Sequence, residues 1–201
     1  MDNGQIYHAK KGADLSKAYT PHETRRPPSN VSYLVDNLWE WARPERYPSR
    51  RNAKFGNPDP KEALRSAHLS SPDQVYRVEF LGDPKVAQMT TDRDARDHSD
   101  CRSLRKLVVR ALDGDMGRYS WVSQDRDEKG PAAQLFQPCL KKEEVSQIFE
   151  ESDMLRPHRE EIREAVGFWG DVVSVEPGDL DNDEGEVFFE YEGGFRLHPI
   201  E

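Results

Sequence analysis

Tyr47-Pro48-Ser49-Arg50-Arg51-Asn52-Ala53-Lys54-Phe55-Gly56 is a basic turn running into a short strand, and the architecture of the chain hangs on it. Its second half alternates small or apolar with polar residues, the pattern of a strand with one buried face. Asn57-Pro58-Asp59-Pro60 then punctuates, with Asp59 as N-cap, Pro60 in the first helical position and Glu62 where a capping-box acid belongs. The spacing predicts a helix from Pro60 to His68 with Ala63, Leu64 and Ala67 on one face. Upstream, Val31, Leu34, Val35, Leu38 and Ala42 recur at helical steps, with Ser29 or Asn30 as N-cap and Pro44 as the stop.

Further out, Val75 to Leu81 alternates Tyr76, Val78 and Phe80 against Arg77 and Glu79, a strand. Gln5 to Ala9 reads as a first strand, and Thr20 to Ser29 as a proline-punctuated connection. Thr90 to Asp100 is loop-like, Ser103 to Leu112 has helical spacing, and Gly114 to Lys129 is turn-rich around Tyr119 and Trp121. Two polar helices follow, about Glu143–Glu150 and Pro157–Val166, and then strands at Val172–Val175, Glu186–Tyr191 and Phe195–His198. Strands early and late with helices between predict a single mixed α+β domain over residues 1–201.

Composition narrows the function. The 201 residues carry 29 basic and 38 acidic side chains, a net charge of −9. The first sixty hold 10 basic against 7 acidic residues, whereas 141–201 hold 6 against 18. Binding by phosphate neutralisation wants a concentrated basic surface, so the balance argues against nucleic acid as a partner. With 4 Trp, 7 Tyr and 8 Phe set in periodic segments, the chain has the means to fold. No apolar run reaches the ~18–20 residues of a membrane span. Met1 to Lys11 is polar and mixed, unlike a secretory leader, which points to the cytoplasm. Cys101 and Cys139 are too few for a disulfide framework or a four-cysteine zinc site.

Four constellations could carry chemistry. Tyr7-His8 ends the first strand, where a histidine is either satisfied by a carbonyl or turned to a ligand. The block Trp39 to Phe55 joins Trp39, Trp41, Arg43, Arg46, Tyr47, Ser49, Arg50, Arg51 and Phe55. Arginines grip phosphate oxygens bidentately and aromatic rings stack on flat heterocycles, which suits a dinucleotide and equally suits a solvated basic turn beside core tryptophans. Asp92, Asp94, Asp97, His98 and Asp100 could take a divalent cation, but Arg93, Arg96 and Arg102 interleave and favour internal pairing. Asp179 to Glu186 echoes a calcium loop, yet Glu184 stands where the turn glycine belongs and Gly185 comes one place late, so an EF-hand is rejected. What remains there is Glu186 at the mouth of the apolar Val187-Phe188-Phe189, after a flexible turn. A carboxylate so placed can stabilise developing positive charge, or can simply face water at an edge.

In chain order, Tyr7-His8 on a first strand, Ser49 to Phe55 entering a second, and a late strand begun by Glu186 resemble NAD-dependent mono-ADP-ribosyltransferases of the bacterial toxin and effector type. The resemblance covers about residues 5–81 and 171–198 and leaves 82–170 without a counterpart, as a helical insertion. It implies an ADP-ribosyltransferase-like split β-sandwich with flanking helices, NAD as co-substrate and no metal. It also implies transfer of ADP-ribose to a macromolecular acceptor, protein ahead of nucleic acid. The protein would work in the cytoplasm or be delivered into a target cell without a classical signal peptide. His8 would orient NAD and assist catalysis, Tyr47, Ser49 and Phe55 would line its pocket, and Arg50 or Arg51 would meet phosphate. Glu186 would be the catalytic acid, with Glu184 and Glu190 as alternatives. Ser49-Arg50-Arg51 replaces the family's usual Ser-Thr-Ser, and Glu184-Gly185-Glu186 keeps two glutamates at signature spacing. A rival fits the acidic last third better: a non-catalytic interaction or inhibitor protein docking on a basic partner. A third reading is a metal-dependent hydrolase on Asp92, Asp94, Asp97 and His98.

Overall fold

A computed structural model describes residues 4–21, 25–26, 30–91, 94–112 and 130–200. The chain is mixed α+β, with two antiparallel sheets. It divides into two compact units, one from Met1–Arg25, Pro44–Asp97 and Gly170–Glu201, the other from Arg26–Arg43 and His98–Trp169. No described helix is long and apolar enough to cross a membrane.

The first unit holds both sheets. Strands β1 (Tyr7–Ala9), β3 (Val75–Phe80) and β7 (Phe195–Pro199) form a three-stranded sheet in the order β1-β3-β7. The second sheet has four strands, β2 (Lys54–Gly56), β4 (Lys85–Met89), β5 (Val172–Val175) and β6 (Val187–Glu190), in the order β2-β6-β4-β5. Alternation turns Ile6, Tyr76, Phe195 and Leu197 of the first sheet toward Val86, Val187, Phe189 and Tyr191 of the second, and these eight make one buried cluster. The opposite face of the second sheet is covered too, since Ala87 and Phe188 are also wholly buried. That double burial explains why Val187-Phe188-Phe189 is a continuous apolar run.

The two sheets meet where β1 runs into the end of β2. Tyr7 and Asn57 exchange both backbone hydrogen bonds, each 2.9 Å. A Cβ on Gly56 would lie 2.6 Å from Ile6 Cγ2 and 2.7 Å from the Tyr7 carbonyl oxygen, so only glycine lets the strands approach. Directly after it, Asp59 caps α2 (Pro60–Ser66) by accepting from the Lys61 N–H at 2.8 Å, with Pro60 in the first turn as the sequence predicts. The helix stops short of the expected His68, which adopts φ 55°. Glu62 pairs with Arg65 at 3.3 Å.

The second unit is helical: α1 (Tyr33–Ala42), α3 (Asp100–Ala111), a 3-10 segment over Gly130–Phe136, α4 (Lys142–Glu151) and α5 (Arg159–Glu164). Three polar anchors on α1 orient it. Asn37 donates to the carbonyls of Leu135 (2.9 Å) and Gln137 (2.7 Å). The Trp39 indole donates to Asp100 at 2.8 Å, and the Trp41 indole to Ser146 at 2.9 Å. Trp39 stacks on Phe168 with centroids 4.0 Å apart, and Trp41 on Phe149 at 4.8 Å.

Several expectations are corrected. Lys85–Met89, inside the stretch without a counterpart, is a strand at the centre of the second sheet. Its alternation is masked because Val86 to Met89 are all buried. The predicted helix 157–166 is a 3-10 turn (Arg156–His158) followed by α5. Helix α1 starts at Tyr33 after Ser32, two residues later than its apolar period suggested. Ser29, Tyr119 and Trp121 lie outside the described residues.

Gly56→Ala is expected to lower stability by roughly 1–3 kcal/mol through overpacking at the strand junction. Urea titration of the variant beside the wild type reads this directly; an unchanged midpoint would mean the junction can open.

Candidate functional site

The basic turn folds inward. The Ser49 carbonyl accepts from the N–H groups of Asn52 (3.1 Å) and Ala53 (3.0 Å), a single tight turn before β2. Tyr47 pins its start, its buried hydroxyl donating to the Val172 carbonyl of β5 at 2.7 Å. Arg46 lies over the Tyr47 ring at 4.7 Å and donates to its hydroxyl at 3.0 Å. Ser49, Arg50 and Arg51 are consequently buried, so this is not the solvated loop that its charge would allow.

Arg50 is the centre of the site. Its Nη1 meets Glu186 Oε1 at 2.6 Å, with Arg50 only 3% and Glu186 only 4% exposed. The guanidinium sits over the Phe55 ring at 4.7 Å and the Phe188 ring at 5.2 Å. Those two phenylalanines are register partners across β2 and β6, so they share one face and form the apolar wall on which the cation lies. Burial pushes the Glu186 carboxyl above its ordinary value, against the pull of Arg50; Asp94 nearby pushes the same way, and a hydrogen bond from the Ala95 backbone opposes it. Asp94 is itself paired with Arg96 at 2.9 Å.

Glu186 is delivered by a loop that is pinned where the sequence suggested a flexible turn. Asn182 Oδ1 accepts from the N–H groups of Glu184 (3.0 Å) and Gly185 (2.6 Å), an Asx turn. Gln88 of β4, fully buried, accepts from Asp181 N–H at 2.8 Å and donates to the Asn182 carbonyl at 2.8 Å. Asn57 donates to the Glu184 carbonyl at 3.0 Å. A Cβ on Gly185 would fall 1.8 Å from the Met89 carbonyl oxygen, so the chain must pass here as glycine. The false calcium loop is thus a hydrogen-bonded cradle built on Gln88.

His8 stands apart. Its Nδ1 is 2.7 Å from the Phe55 carbonyl oxygen, and its ring lies edge-on to Phe195 at 6.3 Å. It therefore faces the core between the sheets, while Arg50 and Glu186 lie on the far face of the second sheet beside Phe188. Burial lowers the imidazole pKa to about 4, helped by Lys54 and Lys10 and opposed by the bond to Phe55. The ring is neutral near pH 7 and donates through Nδ1–H. One contact chain, His8–Phe55–Arg50–Glu186, still links four of the predicted site residues; Tyr47 brackets the turn, and Ser49 and Arg51 are buried beside Arg50 in sequence.

The remaining constellations separate. Asp94 holds the Arg96 N–H and guanidinium, and Asp97 is exposed. Asp100, buried, accepts from the Trp39 indole and the Phe168 N–H at 3.0 Å, and His98 accepts from the Asp100 N–H at 3.1 Å. Asp92 and Arg93 lie outside the described residues. Among the described residues no group of three or more His, Cys, Asp and Glu side chains could hold a metal ion. Trp39 and Trp41 belong to the helical unit's core, stacked on Phe168 and Phe149. Sequence reasoning missed Gln88; a lone amide in an apolar strand, which must bury its hydrogen-bonding groups, was the available signal.

Among the clefts that open on the described residues of the first unit are these two. One, of about 680 Å³, lies among Gln5, Arg77, Phe80, Asp83 and Glu176. The other, of about 570 Å³, is lined by Arg25, Asn52, Lys85, Glu190, Tyr191 and Glu192. Of the three candidate acids, Glu190 lines the second cleft, Glu184 is exposed and Glu186 is sealed. Compared with known proteins, no family model, curated protein or solved structure matches the chain.

Arg50→Met should destabilise the protein by about 3–5 kcal/mol, because it strands a buried carboxylate. Adding Glu186→Gln to that variant should recover much of the loss; denaturant unfolding of the four-member cycle measures it. His8 makes a separate, pH-dependent contribution. Its folded pKa is depressed from 6.5 to about 4, so its stabilisation is complete above pH 6.5 and is lost as pH falls toward 4. The loss is at most about 3 kcal/mol, less what partial exposure of the ring returns. His8→Gln is expected to flatten that segment of the stability profile, read as the urea midpoint against pH.

Proposed function

We propose that this chain is a mono-ADP-ribosyltransferase on an ADP-ribosyltransferase-like split β-sandwich, moving ADP-ribose from NAD to a macromolecular acceptor, with protein the first candidate. The observation that carries the reading is the contact chain His8–Phe55–Arg50–Glu186, which joins the first strand, the central turn and the late acid in the order that the resemblance implies.

The chemistry asks little beyond a fixed anion. The bond from ribose C1′ to the nicotinamide nitrogen breaks, its electron pair leaving with neutral nicotinamide. The ribose passes through an oxocarbenium-like state, as in glycoside cleavage. The acceptor nucleophile then bonds to C1′ and gives up its proton to water. A carboxylate that hydrogen-bonds the ribose hydroxyl gains most when that positive charge is present, which is differential binding of the transition state. Glu186 is held in place before substrate arrives, by the Asn182 turn and by Arg50, so little reorganisation remains at the moment of reaction. Its burial means that the ribose reaches it only when the cover over the pair yields.

That same burial favours a second reading. A sealed, self-neutralised pair that lines neither cleft is also what a purely structural element looks like, and the acidic surface of 176–192 would then be the working part, docking on a basic partner. Such binding weakens steeply with salt and ignores NAD.

Purified protein is expected to release nicotinamide from NAD, faster with cell lysate as acceptor source. Glu186→Gln should lower release by about 10²–10³-fold, near 2.7–4 kcal/mol, while NAD affinity by calorimetry stays close to wild type. No release and no NAD binding by the wild type would leave the docking reading standing.

A further inference from the structure

We propose that Arg50 is a positioning residue for Glu186 rather than a ligand of the NAD pyrophosphate: lying on the wall of Phe55 and Phe188, it sets the orientation and charge of the Glu186 carboxylate. This rests on the transferase reading and takes Arg50 out of the pair, Arg50 or Arg51, that the resemblance gives to phosphate.

Three observations argue for it. The Arg50 guanidinium meets Glu186 Oε1 through Nη1 at 2.6 Å, and it lies on the wall that the two aromatic rings form, at 4.7 and 5.2 Å. The pair is 3% and 4% exposed, so water barely screens it and Coulomb attraction is far stronger than at a surface. A phosphate that drew the Arg50 guanidinium away from Glu186 would leave a buried carboxylate without its cation, which is a strongly disfavoured exchange. Third, the groups that face Glu186 divide by sign. Asp94, from the segment before the Ala95–Asp97 turn, repels it, while the Ala95 backbone and Arg50 favour the anion. Arg96 is engaged with Asp94 at 2.9 Å. Arg50 is the charge that opposes both burial and Asp94, so its removal pushes the carboxyl further above its ordinary value.

The test follows the carboxylate and the reaction together. Protein labelled with carboxyl-¹³C glutamate is titrated by NMR as wild type, Arg50→Lys and Arg50→Met, with Glu186→Gln to assign the resonance. Nicotinamide release against pH and NAD affinity by calorimetry are measured on the same samples. In Arg50→Met the Glu186 carboxyl should titrate about 1–3 pH units higher than in the wild type. The acid limb of kcat should move with it, and NAD affinity should stay within about twofold. Arg50→Lys should restore most of the titration and part of the rate, since it keeps the charge without the planar fork; should the methionine variant not fold, the lysine variant's limb and affinity decide alone. A tenfold or greater loss of NAD affinity with the acid limb unmoved would make Arg50 a phosphate ligand and overturn the proposal. Release by the wild type with neither limb nor carboxyl titration altered in the variants would overturn the positioning role alone. Absence of release by the wild type overturns the transferase reading and the positioning role together, and marks a shifted carboxyl titration as belonging to a structural pair.

Discussion

A carboxylate taken out of water at the mouth of a strand demands a cation, and the first unit is arranged around meeting that demand. Glu186 is brought inside by the passage of Gly185 against the Met89 carbonyl, and Arg50 is brought inside by the tight turn on the Ser49 carbonyl. Neither burial is tolerable without the other. The two phenylalanines at one register position of β2 and β6 supply the apolar wall on which the guanidinium lies. The strand pairing therefore exists in the form that lets this pair close.

The same turn that seats Arg50 also starts β2, and the end of β2 is where the two sheets join. Gly56 and the Tyr7–Asn57 exchange hold β1 against β2, and the Phe55 carbonyl accepts the hydrogen bond of His8 Nδ1–H at that joint. Phe55 is thus shared: its carbonyl faces the core histidine, and its ring faces the buried arginine. Any change that loosens this strand reaches His8 on one side and Glu186 on the other. Coupling of that kind suits a site that must hold a small anion steady, and it suits equally a fold that lacks long strands and compensates with polar pins such as Gln88, Asn182 and Asn57.

The helical unit solves the same problem differently. Its amide and carboxylate anchors, Asn37 and Asp100, satisfy backbone groups that no regular ladder reaches, and the indoles of Trp39 and Trp41 are satisfied by the Asp100 and Ser146 side chains. The carboxylates that invited a metal reading are occupied in this way, Asp100 by an indole and an amide and Asp94 by an arginine.

Local chemistry was legible where local energies dominate. The Asp59-Pro60 helix start, the Tyr76–Val78–Phe80 alternation, the apolar period of α1 and the late strands all follow from caps, periodicity and propensity within a few residues, and the sequence by itself determined them. It also singled out Arg50, Phe55, His8 and Glu186 as residues able to hold a ligand, each with a plain structural use beside it. What only the tertiary structure decided was which of these meet. The β4 strand is hidden because a strand buried on both faces loses its alternation. Arg50 and Glu186 find each other across 136 positions of chain, a distance over which no spacing rule operates. Whether an arginine faces solvent, phosphate or a carboxylate is set by what the folded chain excludes from water, and that is a property of packing rather than of any segment.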